Sequence, residues 1–378
     1  MTTVQTLAGG PFTGRRVGTA GSALARAWLA GQLRELGVEP TVDTFPVSGV
    51  RELYAVPTMH WTRDLRYRRE FAEDLASADL PEPREGLVVA ADSQEWRARW
   101  VLAPAAWTEL LERAVREGAA GLVVPRGTDE AGWMPKMIAG RPPAAVPILG
   151  VRNDIHRQMG ATGGSLTASM PLRTVDVTGT NVHADLISGQ SGPTVLLTAH
   201  YDGVGDDPHQ RFPAAADNAS GVAAVLEAAR RLREDPPKGL NVSIAFLDAE
   251  EAGAHGSAHH APKLPPGTMV INMDGAAEAG RPAAVEAGGP AHAVLAALDR
   301  AGREVGVPLK AAPMASDNRR YAAAGLAAVG IGMGMPGYQT PAETPDRVDP
   351  AALLAAARLI TATVRLLAPS PEGGGFPG

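Results

Sequence analysis

The stretch TVLLTAHYDG, residues 194–203, decides the architecture. All of its first six residues are apolar or β-branched without the alternation of a half-exposed strand, and the run then stops at His200 and Asp202. A short, near-continuous apolar run of this kind reads as a strand buried on both faces. The same sentence repeats downstream. LNVSIAFLDAEE (240–251) is a buried run ending in Glu250 and Glu251, TMVINMD (268–274) ends in Asp274, and AAVGIGM (327–333) is a fourth. Between them lie helical segments: DNASGVAAVLEAARRLRE opens at Asp217, GPAHAVLAALDRAGREVG spans 289–306, and PAALLAAARLITATVRLLA spans 350–368. Buried strands alternating with amphipathic helices predict an α/β fold, a mostly parallel mixed sheet with helices on both faces. Ligands of such sheets bind beyond the carboxyl ends of the strands. His200, Asp202, Glu250, Glu251 and Asp274 all stand at such ends.

Outward from this core, AGSALARAWLAGQLREL (20–36) reads as a helix stopped by Gly37. From Ser48 to Val175 the texture changes to short strands and helices, among them EGLVVAA, RWVLAP, AWTELLERAVREGAAGLVVP and AAVPILGV. That stretch predicts a small inserted α/β domain, residues 48–175, leaving 1–47 with 176–378 as one discontinuous domain. A length of 378 residues suits two domains. The net charge of −6 speaks against a nucleic-acid partner. No run of about 18 uninterrupted apolar residues stands out, so no membrane span is expected. The N-terminus lacks the apolar segment of a signal peptide, and a cytoplasmic location follows as the expectation. With 0 Cys, any metal must be held by His, Asp and Glu.

Taken singly, each polar residue has an ordinary explanation. His200 and Asp202 form an H-x-D at a strand end, both on one face by the strand period, as a metal-bound His and its orienting carboxylate would be. A surface pair reads the same way. Asp217 at a helix start is as good an N-cap as a metal bridge. Glu250 and Glu251 end a buried strand, where two charges are costly unless a cation lies nearby. Asp274 carries the same cost. One His and several carboxylates at successive strand ends of one sheet are hard to explain structurally, and they point to a metal centre with a general base beside it.

AHYDG, AADNASGVAAVLEAAR, FLDAEEAGAHGS and INMDG resemble, in order and spacing, the bacterial leucyl aminopeptidase family of co-catalytic zinc exopeptidases, relatives of glutaminyl cyclases and the transferrin receptor ectodomain. GRRVGTAGSALARAWLAGQLRELGVEP is similar to that family's N-terminal segment, and the insert resembles a protease-associated domain. The resemblance implies that His200 and Asp274 hold one zinc, that Asp217 bridges two zincs through a cis peptide to Asn218, and that Glu251 holds the second. It implies Glu250 as general base and Asp202 as the residue orienting His200.

Two positions depart from the family pattern. Where its last ligand His would stand in H-T-P-x-D-T, this chain has Gln339-Thr340-Pro341-Ala342-Glu343-Thr344. In SDNRRYAAAGLAAVGI, Asn318 follows Asp317 where a His is usual. An amide oxygen is a poor zinc ligand, so one firmly held Zn2+ is expected, with the second site weak, absent or taken by a different ion. His209, with Asp206 and Asp207 beside it, is a candidate substitute ligand, while His255, His259 and His260 read as solvent-facing. Asp317, Asn318, Tyr338 and Gln339 are expected to line the substrate pocket. The leading expectation is an aminopeptidase-like hydrolase cleaving an amide bond of a peptide or peptide-like metabolite. A catalytically inactive binding protein and a one-metal acyltransferase or cyclase on the same scaffold are the alternatives.

Overall fold

The computed structural model describes residues 1–369. The chain divides into two compact units. Among the described residues, the first comprises 1–47, 177–205 and 212–369; the second comprises Ser48–Asp176 together with Asp206–Arg211. The hexapeptide 206–211 therefore leaves the unit that the sequence reading gave it. Two long strands, Thr41–Leu53 and Leu172–Ile187, carry the chain across the boundary.

The first unit is built on an eight-stranded sheet in the order Thr41–Leu53, Leu172–Ile187, Asn241–Leu247, Thr194–His200, Met269–Met273, Ala327–Gly332, Ala283–Gly288, Leu309–Ala311. The third to sixth of these are mutually parallel, and they are the four apolar runs of the sequence. Antiparallel neighbours flank them on both sides. From Thr194–His200 the chain pairs Asn241–Leu247 on one side, then returns to pair Met269–Met273 on the other. That reversal of strand order opens a crevice at the carboxyl end of Thr194–His200, where His200 sits.

The strand period sorts the side chains. Val195, Leu197 and Ala199 join Phe246, Ile271 and Val329 in the main core under the helices. Leu196, Leu247, Val270 and Ala328 face the other way and pack with Tyr321 of helix Asn318–Ala323. Thr198 and His200 share this second face. Helix Gly221–Glu234 buries Val222, Val225, Ala229 and Leu232 on the first. Helix Pro350–Leu367 starts on an Asp349 cap, whose Oδ1 accepts the Ala351 N–H at 2.8 Å, with Pro350 at its first position. By length and composition this helix is apolar enough to cross a membrane, which the sequence reading did not see. It is instead a core helix: Leu353, Ala356, Leu359, Ile360 and Val364 are buried in the main cluster.

The second unit has a seven-stranded sheet. Strands Leu80–Ala90, Trp100–Leu102, Gly121–Arg126 and Ile148–Arg152 are parallel to one another. Thr58–His60, Ser165–Met170 and Phe71–Glu73 complete it antiparallel. Its two faces are covered by separate apolar clusters around Trp100 and Trp96. Beside them lies a buried charge cluster. The Arg68 guanidinium pairs with Glu73 at 2.7 Å and Asp207 at 3.1 Å, and Lys136 pairs with Asp207 at 2.7 Å. Asp207, expected as a spare metal ligand, is spent here.

Candidate metal and catalytic centre

The centre is assembled from three strand ends and two turns. Tyr201 N–H still bonds to Leu247 C=O at 2.9 Å, so the first two strands stay paired just past His200. Asp274 N–H bonds to Ile331 C=O at 2.9 Å and fixes the third end. The fully buried His200 ring places Nε2 3.1 Å from Asp217 Oδ1 and 3.2 Å from Asp274 Oδ1. Its Nδ1 lies 3.3 Å from the Asp202 carbonyl and 3.4 Å from Asp202 Oδ1. This is the arrangement in which the far nitrogen is held by a carboxylate and the near one is left for a ligand.

Asp202 does more than face His200. Its Oδ1 accepts the Glu250 N–H at 3.1 Å and its Oδ2 accepts the Glu251 N–H at 3.2 Å. One buried carboxylate thus ties the His200 strand to the turn that carries both glutamates. Asp217 is not a helix cap: its side chain makes no cap bond, and regular helix begins at Gly221. The Asp217–Asn218 peptide is cis, as the family resemblance implies. Asn218 then stitches this turn to the Asp274 strand, donating to Met273 C=O at 2.9 Å and accepting from Gly275 N–H at 2.9 Å.

Two residues that the sequence reading gave no role complete the frame. Glu343 is buried under the Gln339 turn. Its Oε1 accepts the N–H groups of Ala216 at 3.0 Å and Asp217 at 2.6 Å, and its Oε2 accepts Gln339 N–H at 2.8 Å. Arg15 is fully buried, donating to Tyr201, Leu7, Pro213 and Ala214 carbonyls at 2.7–3.0 Å. It reaches there through left-handed backbone at Thr13, Gly14 and Arg15, where a Cβ on Gly14 would meet Gly205 Cα at 2.7 Å. Burial pulls the Arg15 guanidinium down to about 10, against the charges of Glu343, Asp202, Asp217 and Glu251. Arg15 and Glu343 carry a weak sequence signal, a charged residue inside a quoted motif. Their roles come from chain segments far apart.

The electrostatics is set by burial and by several carboxylates crowded around one imidazole. Burial, then Asp274, Asp317 and Asp217, pushes Glu250 well above the usual carboxylate range, with His200 opposing. Burial, then Asp217 and Glu250, does the same to Glu251. Burial raises Asp217 too, whereas His200 holds Asp274 down in spite of burial. For His200, burial disfavours the imidazolium, but Asp274 and the bonds to Asp202 and Asp217 outweigh it. Asp317 is fully buried, and burial pushes it up to about 7, with His200 and a contact to Ser257 opposing.

A single divalent cation fits this donor set. Imidazole and carboxylate ligand atoms of His200, Asp217 and Asp274 lie within 4.8 Å of one another, and all three residues are buried. A second cation on Asp217 and Glu251 fits poorly. Gln339 Nε2 donates to Glu251 Oε2 at 2.5 Å, so the amide presents its N–H face to that carboxylate. His209 does not compensate: it is exposed, in the segment 206–211 that packs with the second unit. His260 is buried against Tyr321 rather than solvent-facing, with Nδ1 2.9 Å from the phenol oxygen. Asn318 is buried against Gly330, where a Cβ would meet its Cγ at 2.7 Å. Tyr338 is 45% exposed, and burial with the charges of Asp217, Glu251 and Glu250 keeps its phenol protonated.

Residues 181–364 match peptidase family M28, the family that the motifs resemble. A probable lipoprotein aminopeptidase of Mycobacterium tuberculosis is 31% identical over 153 residues, 40% of this chain and 29% of its own length. The match thus spans under a third of that curated relative. Among solved structures, the zinc aminopeptidase of Bacillus subtilis superposes with a TM-score of 0.73 at 20% identity, covering 99% of this chain and 95% of that chain. A glutaminyl cyclase of Fimbriiglobus ruber superposes with a TM-score of 0.55 at 16% identity, covering 97% and 93%. At these identities the likeness is one of fold.

Proposed function

From the match of residues 181–364 to peptidase family M28 as premise, we propose that the chain is a zinc-dependent aminopeptidase-like hydrolase working with one firmly held metal. The observation that carries this reading is the buried His200 Nε2 set between Asp217 Oδ1 and Asp274 Oδ1 at 3.1 and 3.2 Å. These three residues would hold zinc, which when bound supplies Lewis-acid polarisation of an amide carbonyl and acidifies water at neutral pH. Glu250 is the general base. Its half-buried carboxylate, raised by burial, suits it to take a proton from water and return it to the leaving amine. Asp202 positions both partners, the His200 ring through Nδ1 and Glu250 through its backbone N–H. Tyr338, protonated at neutral pH, supplies a donor for the oxygen that gains charge.

A binding-only reading has to leave Asp217, Glu251 and Asp274 buried without a purpose, at a cost in desolvation. The cyclase alternative rests on fold likeness alone. Zinc titration tests the proposal. One zinc per chain, abolished in Asp274→Ala and retained in Glu250→Gln, is the expected result. No zinc at saturating concentration contradicts it.

A further inference from the structure

The chain between His200 and Asp217 does not stay in the unit that holds both residues. It leaves after Gly205, passes Asp206–Arg211 through the second unit, and returns at Phe212. Its root is fixed in the first unit. Arg15 donates to the carbonyls of Tyr201, Pro213 and Ala214, and Gly205 N–H bonds to Gly14 C=O at 3.1 Å. Its tip is a tight turn, closed by Asp207 N–H on Gln210 C=O at 2.8 Å and by Gln210 N–H on Asp207 C=O at 3.2 Å. Within Asp206–Arg211 only Asp207 is buried. Its side chain is 2% exposed, with Lys136 Nζ 2.7 Å from Oδ1 and the Arg68 guanidinium 3.1 Å from Oδ2. Tyr67 Oη lies 3.1 Å from the same Oδ2. The second unit shapes this socket with its own chain. Arg68 sits at φ 61°, its N–H on Phe71 C=O and its C=O accepting Met134 N–H, both at 2.8 Å, and its guanidinium also meets Glu73 at 2.7 Å.

Burying four charges is a poor way to gain stability, because desolvation offsets most of the attraction and apolar side chains of similar volume would do as well. What the cluster supplies is an address that only a carboxylate on this turn fills. We propose that Asp207 is a positioning residue for the metal centre: its pairs with Arg68 and Lys136 let the second unit hold the turn 206–211, and so fix the chain that joins His200 to Asp217. The centre needs such a hold. Asp217 stands among like charges, Asp274 and Glu251, which push on its turn before a cation arrives. A polar turn whose other residues are not buried would otherwise keep much of its conformational freedom, and that freedom is lost again each time the ligands are brought together. Fastening the loop at its tip as well as at its root removes this cost in advance. The inference goes beyond the hydrolase reading. It takes His200 and Asp217 as ligands from that reading, but the clamp itself stands on the geometry of Asp207.

The test uses the full chain and two readouts: zinc affinity by competition with a chelator, and hydrogen exchange at the amides of Ala216 and Asp217 in the metal-free chain, both bonded to Glu343. Asp207→Asn keeps the volume and removes the charge; Lys136→Met keeps the stem. Each is expected to weaken zinc about 3–30-fold, the range of off-site coupling, and to speed exchange at both amides at least about threefold. The double variant should do little more than either single one, since the same contact is lost. Asp207→Glu retains the charge and should stay within about threefold of wild type. Met159→Ala truncates the apolar core of the same unit; it should lower thermal stability and leave both readouts unchanged, which separates positioning from general weakening. Zinc affinity and exchange within about twofold of wild type in Asp207→Asn would overturn the inference, as would equal shifts in Met159→Ala. Absence of zinc on wild type would remove the hydrolase reading instead, and exchange in the metal-free chain would then decide the clamp alone.

Discussion

Asp202→Asn is the perturbation from which most can be worked out. The wild-type carboxylate accepts two backbone N–H groups, from Glu250 at 3.1 Å and Glu251 at 3.2 Å, and lies 3.4 Å from His200 Nδ1. Asparagine is isosteric but offers one oxygen. One N–H keeps an acceptor, and the other meets an NH2. A lost bond to a charged acceptor with a buried donor left over costs about 1.5–3 kcal/mol. The anionic partner of His200 disappears as well, and changes of that kind lower metal affinity about 10–100-fold. The expected phenotype is therefore double: metal-free protein destabilised by about 2 kcal/mol, and zinc bound one to two orders of magnitude more weakly. Thermal unfolding without metal and competition against a fluorescent chelator read the two effects separately. Zinc affinity within threefold of wild type, together with an unchanged apo midpoint, would refute the role given to Asp202.

Glu343→Ala strips acceptors from the N–H groups of Ala216, Asp217 and Gln339; at about 1 kcal/mol or more for each buried orphan, it should cost 3 kcal/mol or more in thermal unfolding, and Glu343→Gln should recover part of it. In the second unit, Asp207→Ala removes the carboxylate that pairs with the buried Lys136 and Arg68, and breaking a buried pair of this kind is expected to cost about 3–5 kcal/mol, read as an earlier thermal transition. His260 predicts a pH effect. Burial, then His183, lowers its imidazole to about 4 in the folded chain, with Asp43 opposing and Lys263 and His259 assisting. The unfolded chain, titrating near 6.5, then binds more protons between pH 6.5 and 4, so the contribution to stability falls as pH falls through that window, by at most about 3 kcal/mol. His260→Gln should flatten that part of the stability profile, and an unchanged acid slope would count against it.

Much of the centre was legible because its residues close apolar runs. TVLLTAH, SIAFL and VINM give their strands away by burial on both faces, and the crevice rule then places His200, Glu250, Glu251 and Asp274 together. What was not legible came from long-range packing. Nothing local in GRRVG announces that Arg15 will meet the carbonyls of Pro213 and Ala214, 198 and 199 residues away. The turn 206–211 reads as an ordinary polar loop, which made His209 and Asp207 look available. The charge of Asp207 is taken by Arg68 and Lys136. Helix Pro350–Leu367 was legible as a helix but its burial was not, since an Ala/Leu helix packed in a core and one in lipid carry the same apolar signal. Gln339 could be flagged in the sequence as a departure, but only the geometry shows its amide nitrogen on Glu251 and its oxygen unpartnered.

The most direct measurement is the turnover of a panel of aminoacyl amides by zinc-loaded wild type and Glu250→Gln, with zinc counted on the same samples. Loss of a positioned general base costs about 10²–10⁴-fold. The account predicts equal zinc content and a fall in turnover of that size. Equal turnover by the two proteins at equal zinc would contradict it.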